Sequence, residues 1–258
     1  MSVCKLKYLD YRVQGENEHS SFTTTKHIGN GVYSIKFDDG WESTATSAQL
    51  RSGAMKSPYY PSCSGVGFVG EGEFKTRVDV KEYQTWSNMI RRCYCKDYKE
   101  FHLYGGKGVV VCDEWKNFQN FTKWYKSNIK DSHVLDKDIK STGNVYSPET
   151  CTSLPVVVNS FIANSCTKLS DNTYTGVYLI RDKYRARCSQ LDGYQKHLGV
   201  YNTPEQAYNV YEKEKVRLAN ELADMYEDVV EGHVVDYLRS FDKHIRKLTI
   251  NPYTGEEK

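Results

Sequence analysis

The most constraining part of this chain lies between residues 176 and 226, where three short strand-like runs precede a helix with a clear start. The runs are GVYLI, KYRARC and YQKHLGVY, and the turn sequences RDK and LDG separate them. The helix starts at TPEQ, where Thr203 suits the N-cap, Pro204 the first helical position and Gln206 the reciprocal half of a capping box. We therefore predict a three-stranded antiparallel sheet followed by a helix.

Basic residues concentrate on one face of this predicted sheet. Because strand side chains alternate, every second residue of KYRARC is basic on one side, and tyrosine, alanine and cysteine occupy the other. Residues 176–200 contain five Lys or Arg and two Asp, a net +3, whereas the whole chain carries +2. A positive sheet face can lie along DNA, although from periodicity alone a solvated charged face is the simpler interpretation. The candidate DNA-binding residues of this segment are Arg181, Lys183, Arg185, Arg187 and Lys196.

The N-terminal part is predicted to be a small β module. Residues 28–47 contain two alternating runs around Asp-Asp-Gly, a pattern typical of a β-hairpin whose turn needs a positive φ. The sequence that follows is rich in Gly, Pro and Ser. We interpret residues 1–70 as a partly closed barrel.

The middle of the chain is predicted to be helical. Residues 81–92 and 113–127 have apolar and aromatic side chains at helical spacing, which indicates buried helix faces. Asp113 is the expected N-cap of the second helix. Between the helices, YGGKGVVVC predicts a tight turn and a short strand, and Lys107 in that turn is a candidate contact to a DNA backbone. A further helix is predicted over 233–246.

The segment LDKDIKSTGNVYSPETC, residues 135–151, predicts two short strands joined by a Gly-containing loop. Asp136 and Asp138 flank Lys137 at the end of the first strand, and Asn159 follows the second strand in a short helix. From the residues alone, turn carboxylates and a helix-capping amide are a sufficient explanation.

The composition excludes several classes of protein. There is no apolar run of signal-peptide or membrane-span length, so we expect a soluble intracellular protein with no membrane partner. The eight cysteines are then expected to be reduced thiols, buried small hydrophobic residues or metal ligands, and not disulfides. Cys93, Cys95, His102 and Cys112 lack the usual spacing of a zinc site, and no zinc is expected.

Longer blocks of the sequence resemble known families. YQTWSNMIRRCY, YGGKGVVVCDEWKNFQNFTKWY and LDKDIKSTGNVYSPETCTSLPVVVNSF, in this order and spacing, resemble the HNH-type homing endonuclease-like proteins of bacteriophages. GVYLIRDKYRARCSQLDGYQKHLGVYNTPEQAYNVYEKEK resembles the ethylene-response-factor type of DNA-binding domain, which phage HNH proteins often carry at the C-terminal end. The N-terminal GVYSIKFDDGWESTATSAQLRSGAMKSPYYPSCSGVGFVGEG is similar to the leader region of this phage group.

This resemblance implies an α+β fold with three modules. Residues 1–70 would form the N-terminal β module, and residues 71–166 an HNH-like ββα-metal region with amphipathic helices. Residues 167–258 would form the three-stranded sheet and the C-terminal helices of the DNA-binding domain. The usual tryptophan of that sheet is absent here, and Tyr178 and Tyr184 are present in the region instead.

The resemblance also implies a nuclease site. An HNH unit holds one divalent metal, Mg²⁺ or Mn²⁺, against the scissile phosphate. Carried over by position, Asp136 and Asn159 are the metal ligands and Asn144 orders the hairpin loop. Lys137 stands where the family has its catalytic histidine. Because a lysine with an ordinary pKa of about 10.4 is protonated at neutral pH, we expect Lys137 to contact phosphate instead of activating water.

Two main functions therefore remain open at this stage, beside an RNA-directed module that only the many tyrosines suggest. The first is a phage-encoded protein of the infected bacterial cytoplasm that binds double-stranded DNA and nicks or cleaves it with a divalent metal. The alternative is a catalytically inactive HNH-like protein that binds DNA as a regulator or as a competitor for DNA sites.

Overall fold

A computed structural model describes residues 8–140, 143–165 and 174–249, with side chains described as far as Ile245. Helices and antiparallel sheets occur in both halves of the chain, including a four-stranded sheet near the N-terminus and a three-stranded sheet near the C-terminus. The predicted α+β class is therefore confirmed.

The chain forms two compact units. The first comprises Met1–Ser127 and Asn144–Ser147, and the second comprises Asn128–Gly143 and Pro148–Lys258. Compactness thus groups the residues differently from the three modules expected from resemblance, and that modular division stays a prediction.

The first unit opens with β1 (Arg12–Val13), β2 (Phe22–Gly29), β3 (Val32–Phe37), β4 (Glu42–Thr46) and helix α1 (Ser47–Ser52). The four strands form one antiparallel sheet in that order. The predicted hairpin is confirmed as the β3–β4 pair, and Gly40 in its turn has a φ of +90°. Aromatic side chains, including Phe22, Tyr33 and Phe37, fill the core on one side of the sheet.

The helical part of the first unit contains α2 (Val80–Tyr94), β5 (Val110–Val111), α3 (Asp113–Lys116) and α4 (Phe118–Asn128). Short 3₁₀ turns at Phe101–Leu103 and Gly105–Lys107 connect α2 to β5. The aromatic stripes are buried as expected, because Trp86, Trp115 and Phe118 have no exposed surface. The indole Nε1 of Trp86 donates to the carbonyl oxygen of Trp115 at 2.8 Å.

The single helix predicted over 113–127 is wrong, because Asn117 has extended backbone angles and separates α3 from α4. The backbone N–H of Phe68 donates to Lys116 O, and Phe118 N–H donates back to Phe68 O at 2.9 Å. This bridge to a distant segment replaces helical hydrogen bonds at the break. Asp113 is the first helical residue and the N-cap is Cys112, so the predicted cap is also wrong.

A hairpin and a helix begin the second unit. The elements are β6 (His133–Asp136), β7 (Val145–Tyr146), β8 (Thr152–Pro155) and α5 (Val156–Ser165). β6 and β8 pair antiparallel, with Asp136 opposite Thr152, and α5 follows β8 directly. The two residues of β7 belong to the first unit, where they pair in parallel with β5. The predicted strand–loop–strand–helix order is present, with an extra strand in the loop.

The rest of the second unit contains β9 (Val177–Ile180), β10 (Lys183–Ser189), β11 (Gln195–Tyr201), α6 (Pro204–Tyr226), α7 (Gly232–Arg239) and α8 (Phe241–Thr249). The three strands form the predicted antiparallel sheet, with β10 in the centre. Thr203 caps α6 by accepting the backbone N–H of Gln206 at 3.3 Å. The helix predicted over 233–246 is two helices, because Ser240 adopts non-helical angles between α7 and α8.

One hydrophobic core serves the second unit. Leu154 of β8 and Val158 of α5 belong to the same buried cluster as Ala186 of β10 and Leu218 of α6. The ββα hairpin and the C-terminal sheet are therefore held together by shared apolar packing.

Candidate functional site

The sheet of the second unit has one covered and one open face. Ala186 and Cys188 point toward α6 and are buried. Lys183 and Arg187 alternate with them and are exposed, and Arg185 between them is half-buried. The predicted alternation along β10 is confirmed, and it leaves three cations on the open face.

Cross-strand pairing completes this open face. Tyr178 of β9 lies opposite Arg185 and is 47% exposed. His197 and Gln195 of β11 lie opposite Arg187 and Ser189. We call this surface the open sheet face, defined by Tyr178, Lys183, Arg185, Arg187, Gln195 and His197. His197 and Gln195 were not predicted, although their alternation with Lys196 could have indicated them.

The cations of the open sheet face are not neutralised by acidic side chains of the described residues. Within the described ranges, no carboxylate lies within ion-pair distance of Lys183, Arg185 or Arg187, nor of Arg181 in the β9–β10 turn. Counting only described residues, the Nε of Arg185 is shielded from solvent and lacks a hydrogen-bond acceptor. An unpaired cation row of this kind is available to an external anion.

Lys196 is placed differently from the other predicted DNA contacts. It lies opposite Cys188, on the side of the sheet that packs on α6, and its Nζ donates to Glu214 Oε1 at 3.0 Å. Arg217 also donates to Glu214, and these bonds hold the pKa of the Glu214 carboxyl at about 2. The structure therefore does not bring Lys196 together with the open sheet face.

Charge is segregated within the second unit. The sheet segment 176–200 carries a net +3, whereas residues 202–231, which contain α6, hold eight acidic and three basic residues. The excess of positive charge therefore lies on the strands, and the excess of negative charge lies on and beside the helix. Such a distribution favours an anionic partner at the strands.

The ββα unit places Asp136 at the end of β6. Its Oδ1 accepts the backbone N–H groups of Asp138 at 2.9 Å and Ile139 at 3.1 Å, which orders the start of the loop. Burial raises the pKa of the Asp136 carboxyl, and the backbone donors only partly oppose this shift. Asn159 lies in the first turn of α5 and is half-buried.

The two candidate metal ligands both keep an oxygen available. In the part of the chain with described side chains, Oδ2 of Asp136 and the side-chain amide of Asn159 have no hydrogen-bond partner. A carboxylate and an amide oxygen are ligands that Mg²⁺ accepts, with water completing the shell. The oxygen atoms of both residues are therefore of the kind that a magnesium ion accepts. Among the described residues, no group of three or more His, Cys, Asp or Glu side chains is placed to hold a metal, and the absence of zinc stays a prediction.

Lys137 and Asn144 differ in accessibility. Lys137 is only 7% exposed, and its Nζ donates to the carboxylate of Asp138. Asn144 is exposed and belongs to the first unit, where its carbonyl oxygen accepts the backbone N–H of Val110 at 2.8 Å. A contact between Lys137 and phosphate would thus have to be made by an almost buried ammonium group that already donates to Asp138.

Comparison of the chain with models of known protein families, with curated proteins and with solved structures found no match. None of the helices in the described ranges is both long and apolar enough to cross a lipid bilayer.

Proposed function

We propose that this protein binds double-stranded DNA through the open sheet face of its second unit. The observation that carries the proposal is the row of Lys183, Arg185 and Arg187, which has no carboxylate partner in the described ranges. Arginine can donate two hydrogen bonds to a guanine edge, and both residue types neutralise phosphates. Tyr178 adds an exposed ring beside Arg185.

The binding test compares wild type with the triple variant Lys183→Gln, Arg185→Gln, Arg187→Gln. Affinity for a short mixed-sequence duplex is measured over a series of salt concentrations. The slope of log K against log salt is negative. Loss of three phosphate contacts should reduce its magnitude by up to about 2.7, since each contact contributes about 0.9. Unchanged affinity and slope in the triple variant would contradict the proposal.

A matched control removes three cations elsewhere. Lys26, Arg51 and Lys123 are exposed residues of the first unit, and no ion pair involving them occurs among the described residues. Their replacement by glutamine changes the net charge by the same amount, so it separates a local contact from a general charge effect.

We further propose that the ββα unit is a metal-dependent nuclease site. Asp136 and Asn159 would hold the divalent ion, which supplies Lewis-acid stabilisation of charge on the phosphate when bound. The available oxygens of these two residues support this role. Lys137, at the position of the family's histidine, donates through its Nζ to the carboxylate of Asp138, so it is not assigned as a base.

Supercoiled plasmid incubated with Mg²⁺ or Mn²⁺ tests the cleavage proposal. Nicking by wild type that disappears in Asp136→Ala is the expected result. If wild type leaves the plasmid intact and Lys137→His cuts it, the scaffold binds metal but lacks its base. Intact plasmid with every variant, together with normal duplex binding, would favour the inactive DNA-binding protein.

A further inference from the structure

The first unit carries a second concentration of positive charge, in residues 91–108. This segment contains five Lys or Arg, one Asp and one Glu, a net +3, whereas residues 8–60 of the same unit are net −1. The segment begins in the last turn of α2 and ends just before β5. We call it the 91–108 segment.

Part of this charge is used internally and part is free. Arg92 donates through Nε to Glu100 at 2.6 Å, and Lys99 also pairs with Glu100 at 3.7 Å. Arg91, Lys96 and Lys107 are exposed, and no carboxylate within the described ranges pairs with them. Glu100 is therefore already paired with Arg92 and Lys99, and Arg91, Lys96 and Lys107 keep their charge available.

The backbone of the 91–108 segment is closely packed and hydrogen-bonded. Gly105 packs so tightly on the end of α2 that an added Cβ would lie 2.1 Å from the carbonyl oxygen of Cys93. The two 3₁₀ turns hydrogen-bond within themselves, and Val109 N–H donates back to Tyr104 O at 3.0 Å. A cation surface on an ordered backbone loses less conformational entropy on binding than one on a flexible loop.

One arginine of the segment is displayed on an aromatic ring. The guanidinium carbon of Arg91 lies 4.7 Å from the centroid of the Tyr98 ring. The tyrosine hydroxyl donates to Asn88 at 3.5 Å, which ties the ring to α2. This contact holds the guanidinium against the ring, and within the described residues its N–H groups make no hydrogen bond, an arrangement that suits phosphate oxygens.

We propose that the 91–108 segment is a second contact surface for the sugar–phosphate backbone of double-stranded DNA, with Arg91, Lys96 and Lys107 as its phosphate ligands. This inference rests on the proposed DNA-binding function, but it concerns a different unit of the chain. Two linked surfaces that both contact one duplex would bind it more tightly than either surface alone.

The test uses the full chain with Arg91→Gln, Lys96→Gln and Lys107→Gln combined. Glutamine preserves most of the side-chain length, and a thermal melt checks that the fold is retained. Affinity for the same mixed-sequence duplex should fall roughly tenfold or more at moderate salt. The magnitude of the salt slope should decrease by up to about 2.7, whereas the Lys26, Arg51 and Lys123 control should match wild type.

The possible outcomes separate this inference from the proposed sheet contact. If the segment variant behaves like the control while the sheet variant loses binding, the second surface is refuted and the sheet proposal stands. If the segment variant loses binding and the sheet variant does not, the second surface stands and the sheet proposal fails. Absence of duplex binding by wild type refutes both.

Discussion

At the scale of single residues, a buried carboxylate connects three segments of the first unit. Oδ1 of Asp39 accepts the backbone N–H of Trp41 at 2.9 Å, and Oδ2 pairs with Nδ1 of His19 at 2.8 Å and accepts the hydroxyl of Ser57. Burial by itself would raise the pKa of Asp39, but these hydrogen bonds outweigh burial and lower it. The carboxylate therefore stabilises the fold in its charged form.

We expect Asp39→Asn to lower the free energy of unfolding at pH 7 by about 1 to 3 kcal/mol, because buried donors lose a charged acceptor. A carboxyl whose pKa is lower in the folded than in the unfolded state contributes its full stabilisation of the fold above the unfolded pKa of about 3.9. That contribution disappears as the pH falls through the lower folded pKa. Urea denaturation should therefore show a gap between the two proteins at pH 7 that narrows toward pH 3.

The neighbouring Asp38 provides the control for this prediction. Its carboxylate forms an exposed pair with Arg12 at 2.5 Å, and exposed pairs contribute little. Asp38→Asn should therefore destabilise less than Asp39→Asn. An equal or larger effect at Asp38 would contradict the role given to Asp39.

Two adjacent glycines give a second residue-scale prediction. A Cβ on Gly105 would lie 2.1 Å from a backbone oxygen of α2, whereas a Cβ on Gly106 would have its nearest neighbour, Phe101 O, at 3.2 Å. Gly105→Ala should therefore cost about 1 to 3 kcal/mol in unfolding free energy, the usual range for overpacking, and Gly106→Ala should cost less. Thermal melts of the two variants make the comparison, and equal melting temperatures would contradict it.

At the scale of secondary-structure elements, the start of α4 depends on one side chain. Oδ1 of Asn117 accepts the backbone N–H of Gln119 at 2.9 Å at the point where α3 ends. Asn117→Ala should cost about 1 kcal/mol, typical of a lost N-cap, as measured by denaturant unfolding. The matched control is Asn120→Ala, which removes the hydrogen bond from the Asn120 amide to the carbonyl oxygen of Glu114 in α3. A larger loss at Asn120 would show that the cap is not the stabilising feature.

Elements governed by local rules could be predicted from the sequence. The β3–β4 hairpin follows from alternation around a glycine turn, and the start of α6 follows from a threonine cap. The break at Asn117 could not be predicted, because it depends on a bridge to Phe68, far away in the sequence. The pairing of β5 with β7 is distant in the same way.

In the candidate site, too, positions set by local alternation could be predicted, and a position set by pairing with a neighbouring strand could not. Period-two alternation correctly placed Lys183, Arg185 and Arg187 on one face. Lys196 lies on the other face of the sheet, near a bulge that leaves Leu198 without a partner in β10. Residue type alone grouped Lys196 with the other cations, whereas its strand neighbours place it against α6.

At the scale of the whole molecule, the distribution of charge should matter more than its total. Asp224, Glu227 and Asp228 are exposed at the acidic end of α6. Replacing them with Asn, Gln and Asn raises the net charge from +2 by three units. The salt slope of duplex binding should nevertheless stay near that of wild type, since released counterions come from phosphates contacted directly. If this acidic-end variant changed the salt slope as much as the sheet variant does, the claim that only directly contacted phosphates set the slope would be contradicted.

The position of β7 has a consequence for how the protein is made. A ribosome completes β5 long before it releases Val145 and Tyr146, the residues that pair with it, and it synthesises residues 128–143 of the second unit in between. Co-translational folding of the first unit therefore cannot finish before the second has begun to emerge. A recombination event with a single crossover at a boundary between the units would separate β5 from β7 or β6 from β8, so the two units are expected to be inherited together.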